Sequence, residues 1–594
     1  MFTINYQKIK NKELLETLEN KDCLFLSKPQ NYNPIYTRFF TLNETNYLNV
    51  SLNHPWYLLN VKEQITGNDY LYSCAIKNIK TNKIKTDVNV FFKLAPVLDP
   101  IKYLIGKYDI KDPNLFNLPN YQSTIKNVNP KILDINNSSY VDSFFVFLTC
   151  ILKNTMGFLH GIDYYGSFLS IKNNYKINVT DEVDFLCESD FFNKNQNILF
   201  HIDNYLLQNK KEPITIDYSV SLKSNLSIKS INDDLFDDLF EKTHIDLEDV
   251  KSYTLDLCDI TNTKLITEKD NTTTLNSNST FSSRSSHTSS TISQNSIEDE
   301  NIDVVDNNTE QTNYKGYDCQ QTEESDDSSS SSSSSNYTEE NIDATLYKFP
   351  VHVICMEQIE NTFDDYILNN ELTDDEWLAY FMQIIMILIT YQKMFSFTHN
   401  DLHTNNVMYN TTNIKYLYYC YNKTYYKVPT FGKIFKIIDF GRSIYKFNNK
   451  LFCSDSFNSN GDASTQYNTE PYFNEKKPRL EPNYSFDLCR LACSIFDYVV
   501  DDIYEIKDLT KCGPVVKLIV EWCLDDKGIN LLYKNNGMER YPDFKLYKMI
   551  ARHVHNHTPH AQLQRKEFSS FNISQKKISN NEVIFNIDAL PVLI

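Results

Sequence analysis

The chain is poor in glycine, with only 12 in 594 residues. A loop of several closely spaced glycines, the usual way to bring backbone amides against phosphate, is therefore absent from most of the sequence. The 13 cysteines include no Cys-x-x-Cys pair. That removes the commonest zinc and thioredoxin-like signatures and fits a reducing, intracellular (cytoplasmic) setting. Cys489 and Cys493 lie four apart in an apolar stretch, the spacing of one buried helical face rather than of a metal site. Long apolar runs are also missing. The most apolar, Met382–Ile389, is too short to cross a bilayer, and Met1–Lys21 lacks the apolar core of a secretory leader, so no membrane insertion is expected. A net basic surplus is lacking as well: 58 Lys and Arg stand against 77 Asp and Glu. Between Glu298 and Asp343 stand 14 acidic residues against the single Lys315, which leaves −6 for the rest of a chain whose total is −19. Nucleic acid is not the expected partner.

What is present divides the chain. About 41% of residues are hydrophobic and 13% aromatic, enough for a large core. From Leu257 to about Ala344 the composition turns to Ser, Thr, Asn and acid and includes eight consecutive serines, Ser328–Ser335. Such a stretch has too few apolar groups to offset its ordering entropy, so a disordered insert is expected over 257–345. Upstream, Val90–Pro96, Gly157–Ile171 and Val183–Leu207 alternate apolar and polar residues as strands do. Downstream, Phe349–Glu357 reads as a strand. Asp374–Phe395 reads as a long helix capped by Thr373, with apolar residues at three- and four-residue spacing. The expected class is α+β, with a sheet-bearing first half, a helical second half and a cleft between two lobes.

The chemistry-bearing residues cluster in the second half. Phosphoryl transfer needs a carboxylate beside the attacking hydroxyl, oxygen ligands for Mg²⁺ and a cation on the nucleotide phosphates. Directly after the long helix comes His399-Asn400-Asp401-Leu402-His403-Thr404-Asn405-Asn406, with Asp401 five residues before Asn406. Later, an apolar run ends in Ile437-Ile438-Asp439-Phe440-Gly441.

These two segments resemble the catalytic loop and the Asp-Phe-Gly motif of protein kinases. Val353-Ile354-Cys355-Met356-Glu357-Gln358-Ile359 is similar to the last strand and hinge of their first lobe. The resemblance implies Met356 as gatekeeper and adenine bonding by backbone groups of Glu357 and Ile359. Asn483-Tyr484-Ser485-Phe486-Asp487-Leu488 resembles the start of their large buried helix. There Asp487 is expected to accept backbone hydrogen bonds from the catalytic loop. The matched core covers roughly 69–97 and 347–550. Val90-Phe91-Phe92-Lys93-Leu94-Ala95-Pro96, Phe158-Leu159-His160-Gly161-Ile162-Asp163 and Ser485-Phe486-Asp487-Leu488-Cys489-Arg490-Leu491 resemble serine/threonine kinases of giant DNA viruses.

From this resemblance follow the expected roles. ATP and Mg²⁺ are the implied cofactors, with Asn406 and Asp439 holding metal and Asp401 receiving the hydroxyl proton. The protein substrates would be host or viral, and oligomeric state stays open. Two lysines compete for the phosphates. Lys77, in Cys74-Ala75-Ile76-Lys77, comes only ten residues after Gly67, too few for two strands and a turn. Lys93 leaves Tyr70–Lys77 as one strand, Asn78–Thr86 as a turn, and a strand ending on the lysine, so Lys93 is preferred. Asp142 is the expected partner acid, or else a helix cap. The implied layout is an extension over 1–50 packing on a first lobe at 51–256, the insert at 257–345, a last strand and hinge at 346–362, a second lobe at 363–560, and a tail at 561–594.

The pattern also breaks in places. Trp56–Tyr72 holds Gly67 alone, which opens the reading of a pseudokinase scaffold that binds nucleotide without transfer. Asn400 replaces the usual arginine, so a loop competent without phosphorylation is expected. His403 stands two residues after Asp401, as in small-molecule phosphotransferases, and either donates to the phosphoryl group or caps the loop. Tyr409–Phe435 lengthens a hairpin with Tyr and Lys, as a packed insertion or a docking surface. Glu470-Pro471 should end a substrate platform, with Arg540 or Arg552 anchoring Glu470. The serine tract is a spacer or a phosphate acceptor.

Overall fold

Two long runs rich in β-branched and aromatic residues lie side by side at the centre of a seven-stranded sheet. The computed structural model describes residues 4–8, 11–202 and 342–594. The strands are β1 (Leu26–Gln30), β2 (Trp56–Gln64), β3 (Leu71–Asn78), β4 (Ile84–Pro96), β5 (Tyr164–Asn178), β6 (Phe200–Ile202) and β7 (Asp343–Glu357). Their order is β1-β5-β7-β4-β3-β2, with β6 also on β7, and every pairing is antiparallel. Register shifts at Leu58/Asn60 and Val61/Glu63 bend the outer β2–β3 hairpin. Fold class is α+β, as expected.

A single long helix, α1 (Ser138–Met156), packs on β5 and β7. Asn137 caps its start by accepting the Ser139 N–H at 3.1 Å, and Gly157, at φ 74°, ends it in the left-handed conformation. Residues 139–152 are all buried, because both sides of α1 are covered. One side meets the sheet. On the other, Phe145 stacks on Phe397 at 4.4 Å and packs against Phe440 at 4.6 Å and Tyr445 at 4.7 Å.

The second half is organised by α2 (Asp374–Phe395), at the bounds read from sequence. Thr373 and Glu376 form a reciprocal capping box: each side chain accepts the other's backbone N–H. By length and mean hydropathy, 1.4, this helix passes as a membrane span, yet 94% of that window is buried within the protein. It is a core helix. Its buried Gln383 is satisfied by Lys433 O and the Phe435 N–H. After it come β8 (Val407–Thr411), β9 (Tyr416–Tyr421), β10 (Thr424–Pro429), β11 (Lys433–Ile437), β12 (Ile444–Phe447), β13 (Lys450–Cys453), α3 (Phe486–Val499), α4 (Pro514–Trp522) and α5 (Phe544–His553). Cys489 and Cys493 are buried in α3.

Several boundaries differ from the sequence reading. Val183–Leu207 was expected to be sheet. Instead Val183–Cys187 and Asp190–Asn195 are helical, the second capped by Ser189, and only Phe200–Ile202 is a strand; 203–207 lie outside the described residues. Val183 and Leu186 are both buried, a helical spacing that alternation alone misreads. Gly157 to Asp163 connects α1 to β5 rather than starting the strand. The turn before β4 is tighter than 78–86, because Asn78 Oδ1 accepts the N–H groups of Lys80 and Thr81. β4 then runs past Lys93 to Pro96. The expected insert falls outside the described residues except at its end, where Asp343–Thr345 already belong to β7.

The hairpin β9–β10 is a packed insertion. Two tail strands, β14 (Asn572–Ile573) and β15 (Ile584–Asn586), cover its edges in the order β14-β10-β9-β15. Asp588 accepts the Asn422 and Lys423 N–H groups, both at 2.8 Å.

Three buried histidines join these parts in the neutral form. His352 Nδ1 donates to Ser139 O while Nε2 accepts from Asn33, and His160 Nδ1 donates to Phe435 O while Nε2 accepts from the Tyr419 hydroxyl. Burial lowers both, and His54, from 6.5 to about 4. Between those values the unfolded chain binds more protons, so stability falls as pH drops from 6.5 toward 4. Glu182, pushed up to about 7 by burial, works in the opposite sense. Thermal melts should show Tm falling from pH 7 to pH 5, with stability lower by about 2 kcal/mol per histidine at pH 5. His352→Gln should flatten that slope.

Candidate functional site

Lys93 is the meeting point. It sits on β4 opposite Ile354 of β7, and its ammonium lies 2.6 Å from Asp142 Oδ2 and 2.9 Å from Asp439 Oδ1. Asp142, in the second turn of α1, is 2% exposed, and its other oxygen accepts the Phe440 N–H at 2.8 Å. Its short side chain suffices because α1 is pressed between the sheet and the 440 segment. Burial opposes the charge on Lys93, but the two carboxylates outweigh it and hold the lysine protonated. Burial likewise opposes the charge of Asp439, and Lys93 brings that carboxyl down to about 2. Asp439 remains 48% exposed. Lys77, by contrast, sits on β3 between Tyr57 and Ile84, apart from these groups.

The loop after α2 is held by backbone donors. Asp487, buried in the first turn of α3, accepts the N–H groups of His399 and Asn400, both at 2.9 Å. A carboxylate at a helix N-terminus is favoured by the helix dipole as well. His399 Nε2 donates to Ile438 O at 2.9 Å, which leaves Nδ1 to accept the Asp401 N–H at 3.3 Å. Asn406 Nδ2 donates to Asp401 O, and Asn406 O accepts the Ile438 N–H. Asn406 is thereby locked between Asp401 and the residue preceding Asp439. Asn400 and Asp439 both hold positive φ, 64° and 61°, the kind of strained backbone that surroundings must enforce. Thr404 Oγ1 donates to Asp364, anchoring the far end of the loop. His403 is 5% exposed, and burial lowers it to about 4 despite Asp401 nearby.

Asp401 has partners that the sequence did not announce. Its Oδ1 accepts the Tyr547 hydroxyl at 2.7 Å, and Oδ2 lies 3.6 Å from Arg442 Nη1. Burial opposes its charge, but Arg442, His403, Arg490 and Tyr547 hold the carboxyl below its usual range. Arg442 also pairs with Asp462 at 2.7 Å. The sequence reading singled out neither arginine; the one signal on offer was a charge, Arg490, inside the apolar run of α3. Tyr547 carried no signal.

The remaining expected residues lie outside this cluster of contacts. Met356 is buried opposite Phe91. Glu357 donates its own N–H to Asp163 O, which removes that donor from an adenine edge. Its carboxylate instead pairs with Lys153 and Lys436, each at 2.9 Å, and is held at about 2 by them against burial. Ile359 is half-buried in the irregular stretch between β7 and Asn361. Glu470 is not anchored by Arg540 or Arg552, whose guanidinium groups are taken by the carbonyls of Asn530, and of Lys548 and Thr465. Arg479 approaches it to 3.8 Å at the surface, a contact of little energy. Gly67 stands at the β2–β3 tip with φ 90°.

Asp439 and Asn406 supply a carboxylate and, since Nδ2 of Asn406 is occupied, an amide oxygen. That hard oxygen pair suits Mg²⁺ carried in with phosphates. Among the described residues no group of three or more His, Cys, Asp or Glu makes a metal cage by itself.

Removing Asp142 leaves the part-buried Lys93 ammonium with Asp439 alone and strands the Phe440 N–H. Asp142→Ala should cost about 3 kcal/mol in thermal or urea unfolding, whereas Lys77→Ala should change stability by less than about 0.5 kcal/mol. No protein-family model matches the chain, and no curated protein matches it.

Proposed function

We propose that the chain is a protein kinase that transfers the γ-phosphate of ATP to serine or threonine hydroxyls of proteins. The observation that carries this reading is the convergence of Lys93, Asp142 and Asp439 beside the Asp401–Asn406 loop, from four distant parts of the sequence. The antiparallel order β2-β3-β4-β7-β5, with one helix supplying the acid to the lysine of β4, supports a two-lobed kinase fold. The Ser/Thr preference rests on resemblance to the viral kinases.

In this reading Lys93 binds the nucleotide phosphates, and Asp439 and the amide oxygen of Asn406 hold Mg²⁺. Mg²⁺, when bound, neutralises the phosphate charge as the γ-phosphoryl bond breaks. Asp401 is held ionised and takes the proton of the attacking hydroxyl. Asp487 fixes the loop, and His399 keeps it in register with Asp439. The segment after Gly441 needs no phosphate to order it: the buried Tyr467 hydroxyl donates to Asn400 Oδ1 at 2.8 Å, and Arg442 is paired to Asp462. Its length suits a peptide substrate.

With γ-labelled ATP, Mg²⁺ and generic protein substrates, the wild type should transfer phosphate without prior activation. Asp401→Asn should lower transfer by about a hundredfold to ten-thousandfold with ATP affinity retained. A variant as active as wild type removes Asp401 from the chemistry, and a wild type that binds ATP yet transfers nothing favours the scaffold.

A further inference from the structure

Asp401's backbone is fixed on both sides. Its N–H is given to His399 Nδ1, and its carbonyl receives Asn406 Nδ2. Those bonds leave the rotation of the carboxylate undetermined. Two groups from other elements compete for it. Tyr547 of α5 donates to Oδ1 at 2.7 Å, while Arg442 Nη1 stands 3.6 Å from Oδ2, beyond hydrogen-bond range. Left alone, the carboxylate is drawn toward the guanidinium, and a hydrogen bond from the Nη1 of Arg442, which has no other hydrogen-bond partner among the described residues, would occupy Oδ2.

Tyr547 is built to prevent this. It is 6% exposed, and its ring packs on Phe544 at 5.3 Å and Phe486 at 6.2 Å. The guanidinium of Arg490 lies 5.0 Å from its ring centre and that of Arg442 lies 5.6 Å away. Burial raises the phenol to about 12, so it stays a donor at neutral pH. Arg442 is itself held back by Asp462 at 2.7 Å.

Resting on the kinase reading, we propose that Tyr547 is a positioning residue: its hydroxyl holds Oδ1 of Asp401 so that Oδ2 stays short of a hydrogen bond with Arg442 and faces the incoming hydroxyl. The phenol uses one of about four lone-pair sites on the carboxylate, so it directs Asp401 without blocking it. Tyr547 is not itself a reacting group.

Tyr547→Phe keeps the ring, its stacking and both cation–π contacts, and removes only the hydroxyl. In the full chain, with γ-labelled ATP and a generic protein substrate, kcat should fall about tenfold to a hundredfold, as for a lost hydrogen bond to a charged group. KM for ATP should stay within about twofold, while Tm should fall only modestly, as the loss of one buried hydroxyl's hydrogen bonds dictates. In an Asp401→Asn background the same change should cost less than about twofold more. An unchanged kcat overturns the inference, a raised kcat makes the phenol a plug on Asp401, and a lower Tm with kcat and KM moving together makes it merely structural. A wild type that transfers nothing defeats the kinase reading itself, and this inference with it.

Discussion

The arrangement depends on one buried ammonium with two carboxylates. Lys93 alone is an expensive charge in a core, and Asp142 alone is another. Together they tie the middle of the sheet to α1, and through the second oxygen of Asp142 they tie α1 to the backbone of Phe440. Asp439, half exposed, completes the triad. One acid is sealed and structural, and the other is exposed enough to meet a ligand. The same lysine therefore ties three segments of the fold together, and in the proposed reading it is the group that meets the phosphates.

A second tier of polar contacts keeps the loop segments in register. Asp487 gathers two backbone donors, His399 bridges the 401 and 438 segments, and Asn406 links Asp401 to the approach of Asp439. None of these bonds is strong singly. They matter because each buried donor has a specific acceptor, so displacing one segment leaves several groups unsatisfied at once. Behind the sheet, Glu357 with Lys153 and Lys436 does the same between β7, α1 and β11.

Much of this was legible in the sequence, for identifiable reasons. The bounds of α2 follow from a capping box and a clean apolar period. The choice of Lys93 over Lys77 follows from how much chain two strands and a turn require. Asp142 and Asp487 were legible only through resemblance, because a buried acid looks like any other acid until its donors are known. The helices at 183–195 were missed because short apolar alternation fits both periods. The tail strands on β9 and β10 were missed because pairing over 146 to 166 positions leaves no local trace. Tyr547 was invisible for the same reason. Its partner lies 146 residues away, and nothing in its neighbourhood distinguishes it from a core tyrosine.

The most direct measurement is a crystal structure of the full chain with a non-hydrolysable ATP analogue and Mn²⁺, the metal located by its anomalous signal. The expected result is metal between Asp439 and Asn406, on phosphates that also touch Lys93, with Asp401 facing the terminal phosphate. An analogue bound elsewhere, or a metal away from Asp439, contradicts the assignment of this cleft.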